Sequence, residues 1–305
     1  MAGANADAAA VARFVRLLQQ AYSGELGAAI AYAGHATAVS DPIDDPQQRL
    51  RQTFNEDAEL YDRARPGYPP ALFDDLAELA CIGPGCRVLE IGCGTGQATL
   101  PLAGRSCSIT CVELGPSMAE VARRKLAHFP RVRIERAAFE DWPLPAEPFD
   151  TVFSATAFHW LDPRIRVTKS ADALRPGGAL ATIATHHVAG GDTEFFAQAQ
   201  DCYERWDPAT PPGLRLQTPA QIPLDCDELD RSGLFGPATF LRYEWDLDYT
   251  TDAYINTLLT YSGHRALPPA DRHGLLTCIS DLIDMRFGGR ITKRYMSELR
   301  LAHRL

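Results

Sequence analysis

The chain has 305 residues, 46% of them apolar and 23% charged, enough to bury a large core in one globular domain or one domain with an elaborated cap. Its 30 Lys+Arg against 39 Asp+Glu leave a formal charge of −9 with the basic residues dispersed, which argues against nucleic acid as a partner. No stretch approaches the roughly 18 consecutive apolar residues of a membrane span, and the first residues lack the basic and apolar regions of a secretory leader, so the expected location is cytoplasmic. The eight cysteines (81, 86, 93, 107, 111, 202, 226 and 278) form no C-x-x-C pair and no zinc spacing. They are expected to be reduced thiols, and no metal is expected.

In chain order, the stripe Val11, Phe14, Val15, Leu18, Tyr22, Leu26 and Ile30 predicts an amphipathic helix. Asp41-Pro42 and Asp45-Pro46 then predict a linker, which makes residues 1–46 a separable extension of the domain at 47–305. Helices are expected at 70–80, 98–103, 117–128 and 165–174. Strands are expected at 87–91, 108–114, 132–136, 150–154 and 178–185. Short apolar strands alternating with helices indicate a parallel sheet covered on both faces, with the core at about 70–186. Beyond it, Thr239, Leu241, Tyr243, Trp245 and Leu247 alternate with polar neighbours, as in a half-buried strand, and a second alternating run occupies 290–303. The helical stretches between them, 251–262 and 269–286, are too long for a hairpin turn and are expected to form a lid. The whole reads as a doubly wound, Rossmann-like α/β fold: a mixed seven-stranded sheet with helices on both faces, a helical lid and an extra N-terminal helix.

The run VLEIGCGTGQ (88–97) is a buried strand entering a glycine turn and then a helix. Glycine at 92, 94 and 96 permits backbone conformations and a close approach that side chains forbid. The spacing is G-x-G-x-G, whereas a dinucleotide fingerprint needs G-x-G-x-x-G and here has Gln97 at its last position. No lysine completes a phosphate loop, and Glu90 at the strand end suits a cationic ligand better than a pyrophosphate. The next strand ends in Glu113, placed to accept both hydroxyls of a ribose.

Together with VELGPSM (112–118), this run resembles motifs I and II of the class I S-adenosylmethionine-dependent methyltransferases, over about residues 54–304. The resemblance implies S-adenosyl-L-methionine as cofactor and methyl transfer to a small-molecule acceptor by in-line displacement. It implies cofactor contacts from Glu90, Gly92, Cys93, Gly94, Gly96 and Gln97, from Glu113 with Leu114 and Met118, and from Phe139 and Glu140. Many members carry Asp after the third strand where this chain has Ala138, so the adenine amino contact must come from backbone or from Glu140. SATAFHWLDP (154–163) and FNEDAELYDRARPGYP (54–69) resemble a subgroup related to trans-aconitate and ubiquinone/menaquinone methyltransferases, in methyltransferase type 11 domains. That likeness adds Ser154, Tyr61 and Arg65 to the cofactor set, with Arg65 suited to pair with the methionine carboxylate.

Phe158, His159 and Trp160 follow the fourth strand, at the edge where open α/β sheets bind ligands. They are expected, with His187, to form the substrate pocket. His159 is the candidate base, because its ordinary pKa lies near neutrality, or else a packing or cofactor-contacting histidine; His186 is the alternative. Trp206, Tyr254, Tyr261 and Tyr295 either line an apolar acceptor site or belong to the core. Residues 17–42 resemble the first helix of ferritin-like di-iron proteins, with Glu25 as one ligand, but E-x-x-H occurs nowhere in the chain and no iron site is expected. The helix is expected to pack on the core or on another subunit, which leaves homodimerisation open. Two other readings of the same fold are a non-catalytic S-adenosylmethionine-binding regulatory protein and an aminopropyltransferase.

Overall fold

The computed structural model describes residues 50–305 apart from Gln52, so the expected N-terminal helix, the linker and Glu25 lie outside the described residues. The described chain divides into two units. The first comprises Asn55–Thr185, Ile222–Trp245 and Met296–Leu305; the second comprises His186–Gln221 and Asp246–Tyr295 with residues 50–54.

The strands are β1 (Arg87–Ile91), β2 (Ser108–Glu113), β3 (Val132–Arg136), β4 (Phe149–Ala155), β5 (Leu174–Gly191), β6 (Thr239–Thr250) and β7 (Arg290–His303). They form one sheet of order β3-β2-β1-β4-β5-β7-β6. β1 pairs in parallel with β2 from Arg87↔Ser108 to Ile91↔Val112, and with β4 on its other side from Val88↔Thr151 to Glu90↔Phe153. Asp150 helps set that second register, accepting the Arg87 backbone N–H at 2.8 Å. β7 runs antiparallel to β5: Gly177 N–H donates to the Arg304 carbonyl and Arg304 N–H to the Gly178 carbonyl. The sheet is therefore mixed, as the sequence predicts.

The helices of the first unit are α1 (Ala58–Ala64), α2 (Pro70–Leu79), α3 (Thr99–Ala103), α4 (Pro116–Lys125), α5 (Arg166–Ala173) and, after the second unit's α6 (Thr193–Trp206), α7 (Asp227–Ser232). Side chains alternate across β1, so Val88 joins one core cluster and Leu89 and Ile91 the other. The first cluster takes in Leu72, Phe73 and Leu76 of α2 and Leu102 of α3; the second takes in Val167 and Ala171 of α5 and Leu229 of α7. With both faces covered, β1 can be apolar nearly throughout. From β1 the chain winds outward to β2 and β3 and then returns to β4 on the other side. The reversal opens a crevice beyond the carboxyl ends of β1 and β4, which is where such sheets bind ligands.

The second unit contains α6, α8 (Thr251–Leu258), α9 (Ser262–Ala266) and α10 (Pro269–Arg286). Two expectations are corrected here. Cys202 on α6 and Cys278 on α10 are joined in a disulfide, their Cα atoms 5.8 Å apart, so not all eight cysteines are thiols. The two lie 76 positions apart in sequence, and only helix packing brings them together. β5 also continues to Gly191 instead of ending at 185, because its far end is paired: Asp192 N–H donates to the Thr292 carbonyl, and Thr292 N–H to Asp192 Oδ2. Among the described residues no helix is long and apolar enough to cross a membrane.

Candidate active site

At the end of β1 the chain turns through Gly92, Gly94 and Gly96, with φ of +70°, +56° and +81°. All three lie in the left-handed region that glycine tolerates, but their surroundings differ. A Cβ on Gly92 would meet the Ala157 Cβ at 2.5 Å, and one on Gly96 would meet Leu126 Cδ1 at 2.9 Å. A Cβ on Gly94 would find nothing nearer than Met118 Cε at 3.8 Å. Internal packing thus demands glycine at 92 and 96, while Gly94 leaves its backbone open to a ligand.

Glu113, at the end of β2, ties this loop down. Its Oε2 accepts the Gly94 N–H at 2.9 Å and its Oε1 the Gly115 N–H at 2.7 Å. A carboxylate offers about four acceptor sites, so a group of this kind can hold a loop and receive hydroxyls as well.

The loop faces a narrow cavity of about 30 Å³ whose wall includes Tyr61, Tyr68, Glu90, Gly94, Gln97 and Thr156. Gln97 Nε2 reaches back to the carbonyls of Asp62 and Arg65 at 3.4 Å each, holding the end of α1 beside the loop. An ion pair between Lys125 and Asp62, and another between Arg124 and Glu59 at 2.6 Å, fasten α1 to α4. The Arg65 guanidinium lies 5.5 Å from the Tyr61 ring centroid. Tyr68 and Thr156, which the sequence analysis did not single out, share a hydrogen bond of 2.9 Å. Thr156 has φ +49°, a strained conformation for a β-branched residue, and its N–H is held by the Ile183 carbonyl. Both residues lie inside runs that carry the family resemblance, but no motif position marks them.

Glu90 is 1% exposed. Its Oε2 receives the Cys111 thiol at 3.8 Å, while its Oε1 and the buried Thr95 Oγ1 have no hydrogen-bond partner among the described residues. Burial pushes the carboxyl up to about 7, against the lowering influence of Thr99 and Cys111 and with a small raise from Glu113. A buried carboxyl in this state gains most from a cation.

The remaining residues expected to bind a cofactor are placed as follows. Cys93 is in the cavity wall, Met118 is buried under Gly94, and Leu114 follows Glu113 on the way to α4. Phe139 is buried beneath the Lys169 ammonium, and the Glu140 side chain receives the Asp162 N–H. The Ser154 hydroxyl donates to the Ile91 carbonyl at 2.9 Å and so ties β4 to β1; it is outside the cavity wall.

Phe158, His159 and Trp160 form a single 3₁₀ turn after β4. His159 is half-buried against Trp160, and its pKa is lowered to about 4 by burial and by the Arg166 and Arg65 charges. It is therefore neutral at pH 7 and a weaker base than its residue type suggests. His186 and His187 belong to the second unit, where His187 packs on Tyr261 and Tyr295. The residues expected to share one substrate pocket thus fall in two units.

The family profile described as "Methyltransferase domain" matches residues 88–178, which span β1 to the start of β5. The chain is 34% identical over 155 residues to an uncharacterized methyltransferase of Geobacillus kaustophilus, covering 48% of this chain and 70% of that protein. It is 35% identical over 131 residues to an uncharacterized methyltransferase of Mycobacterium tuberculosis, covering 43% of this chain and 51% of that one. The chain thus spans about half the length of several curated relatives it matches. A solved structure from Anaeromyxobacter dehalogenans, provisionally named a type II methyltransferase, superposes with a TM-score of 0.52 at 24% identity, over 78% of this chain and 97% of that one. That likeness shows the fold.

Proposed function

The chain belongs to the class I methyltransferase family, and we propose that within it the protein moves the methyl group of S-adenosylmethionine to a small-molecule acceptor. The carrying observation is the pairing of an open Gly94 backbone, anchored by Glu113, with a buried Glu90 whose Oε1 has no hydrogen-bond partner among the described residues. The donor fits these residues: a cationic amino-acid end answers Glu90 and Thr95, its carboxylate answers Arg65, and its ribose answers Glu113. When bound, the donor supplies an electrophilic methyl group. The chain's own residues would orient that group, exclude water and dispose of a proton.

His159 is assigned as base or acceptor contact. An imidazole held near pKa 4 is unprotonated at pH 7 and suits an acceptor that releases its proton readily. The likeness of residues 154–163 to trans-aconitate and ubiquinone/menaquinone-type enzymes supports placement in that subgroup. The acidic net charge supports a small acceptor over a nucleic acid.

The test is calorimetric titration of the full chain with S-adenosylmethionine, followed by mass spectrometry for S-adenosylhomocysteine across an acceptor panel. Saturable binding at one site per chain, lost in Glu113→Ala, is expected. Absence of saturable binding by a folded protein would overturn the reading.

A further inference from the structure

The second unit holds a partly open cavity of about 180 Å³, larger than the roughly 150 Å³ engineered cavity that takes up benzene. Aromatic and aliphatic side chains dominate its wall, among them Phe196, Tyr254, Tyr261 and Leu275. Two side chains in that wall, Lys293 and His264, carry a polar group with no hydrogen-bond partner among the described residues. Lys293 on β7 is 3% exposed, and its side chain makes no hydrogen bond or ion pair among the described residues. Its Nζ lies 4.2 Å from the Phe196 ring centroid and 5.3 Å from that of Tyr295, contacts that stabilise a cation without neutralising it. His264 on α9 is 6% exposed; its Nε2 shares a hydrogen bond of 3.0 Å with the Tyr203 hydroxyl, and its Nδ1 has no partner among the described residues.

Strand geometry explains why Lys293 stands alone. Its neighbours Thr292 and Arg294 bond Asp248 and Asp246 of β6, so Lys293, one residue out of phase, is turned to the opposite face. Asp207, a carboxylate in the cavity wall, is engaged elsewhere: Oδ1 accepts the Ala209 N–H and Oδ2 the Thr210 hydroxyl. A buried ammonium facing an apolar cavity, with no counter-ion among the described residues, is costly unless something brings the opposite charge.

We propose that this cavity binds a small, mainly apolar molecule of about one ring that carries a single anionic group, with Lys293 as its counter-charge and His264 as a second polar contact. One cation among apolar walls selects a monoanion over a polyanion. Burial lowers the Lys293 pKa to about 7, and an anion beside it would restore the charged form. The other titratable groups in the wall are His187, Tyr203, Asp207, Tyr254, Tyr261 and His264. The proposal does not rest on the methyl-transfer reading, because binding alone is measured.

The probes are benzoate and its neutral counterpart benzamide, titrated into the full chain by saturation-transfer NMR at pH 6, 7.5 and 9. Benzoate should bind at least tenfold more tightly than benzamide at pH 6, and the ratio should fall toward one at pH 9 as Lys293 loses its proton. Lys293→Met should abolish the preference and keep benzamide binding. Equal affinity for the two probes in the wild type at pH 6, or a preference that survives in Lys293→Met, would overturn the proposal. The wild-type pH series decides even if the variant does not fold. Adding methyl-labelled S-adenosylmethionine separates two sources of such a ligand: label on the probe marks an acceptor, and unmodified bound probe marks an effector.

Discussion

Replacing Glu90 by Gln keeps the size of the side chain and removes its titration. In the folded protein the Glu90 carboxyl titrates at about 7, against 4.5 for an ordinary glutamate. Because the folded-state pKa is the higher one, the fold favours the neutral acid. This contribution is fully present below pH 4.5 and is lost as pH rises to 7. A difference of about 2.5 units corresponds to about 3 kcal/mol. Glu90→Gln should therefore match the wild type near pH 4.5 and exceed it by about 3 kcal/mol at pH 8, measured by urea unfolding without ligand. The same substitution should weaken S-adenosylmethionine binding at pH 8. It should also erase the roughly tenfold gain in affinity expected of the wild type between pH 6 and pH 8 as Glu90 ionises. A difference between the two proteins that stays constant from pH 4.5 to pH 8 would refute this account of the buried acid.

The glycines of the loop should separate in their effects. Gly92→Ala forces a methyl group against Ala157 and should cost about 3 kcal/mol of stability, whereas Gly94→Ala should cost about 1 kcal/mol and abolish donor binding; thermal melts with and without donor distinguish them. Reducing the Cys202–Cys278 bond, which closes a loop of 76 residues, should lower stability by about 4.5 kcal/mol, and alkylation of the unreduced, denatured chain should label six of its eight cysteines. His159→Ala should reduce methyl transfer at saturating donor; unchanged turnover would remove the imidazole from the chemistry.

Much of the first unit was legible because its signals are local. β1, β3 and β7 begin and end where pattern alone places them, since apolar runs between turn residues follow from the pleat and from burial on both faces. The glycine loop was equally legible, because left-handed backbone leaves its mark in residue identity. Thr156 was not: its positive φ goes with an N–H bonded to Ile183 on a neighbouring strand, and nothing in the chain around a threonine announces it.

Charge and pairing depend on neighbours that are remote in sequence. His159 read as a base near neutrality until burial and the Arg166 and Arg65 guanidiniums lowered it to about 4. Cys202 and Cys278 read as thiols until α6 met α10. Lys293 sits in an alternating strand like any exposed lysine, and only the assembled second unit leaves it buried before an apolar cavity. Backbone pattern and the glycine turn were determined by the sequence itself, because each depends on residues within a turn or a strand of one another, whereas the strand order rests on pairings as remote as Val88 with Thr151. The electrostatic state of the site and the partners of its buried groups were decided by tertiary structure, because desolvation and Coulomb interactions act through space.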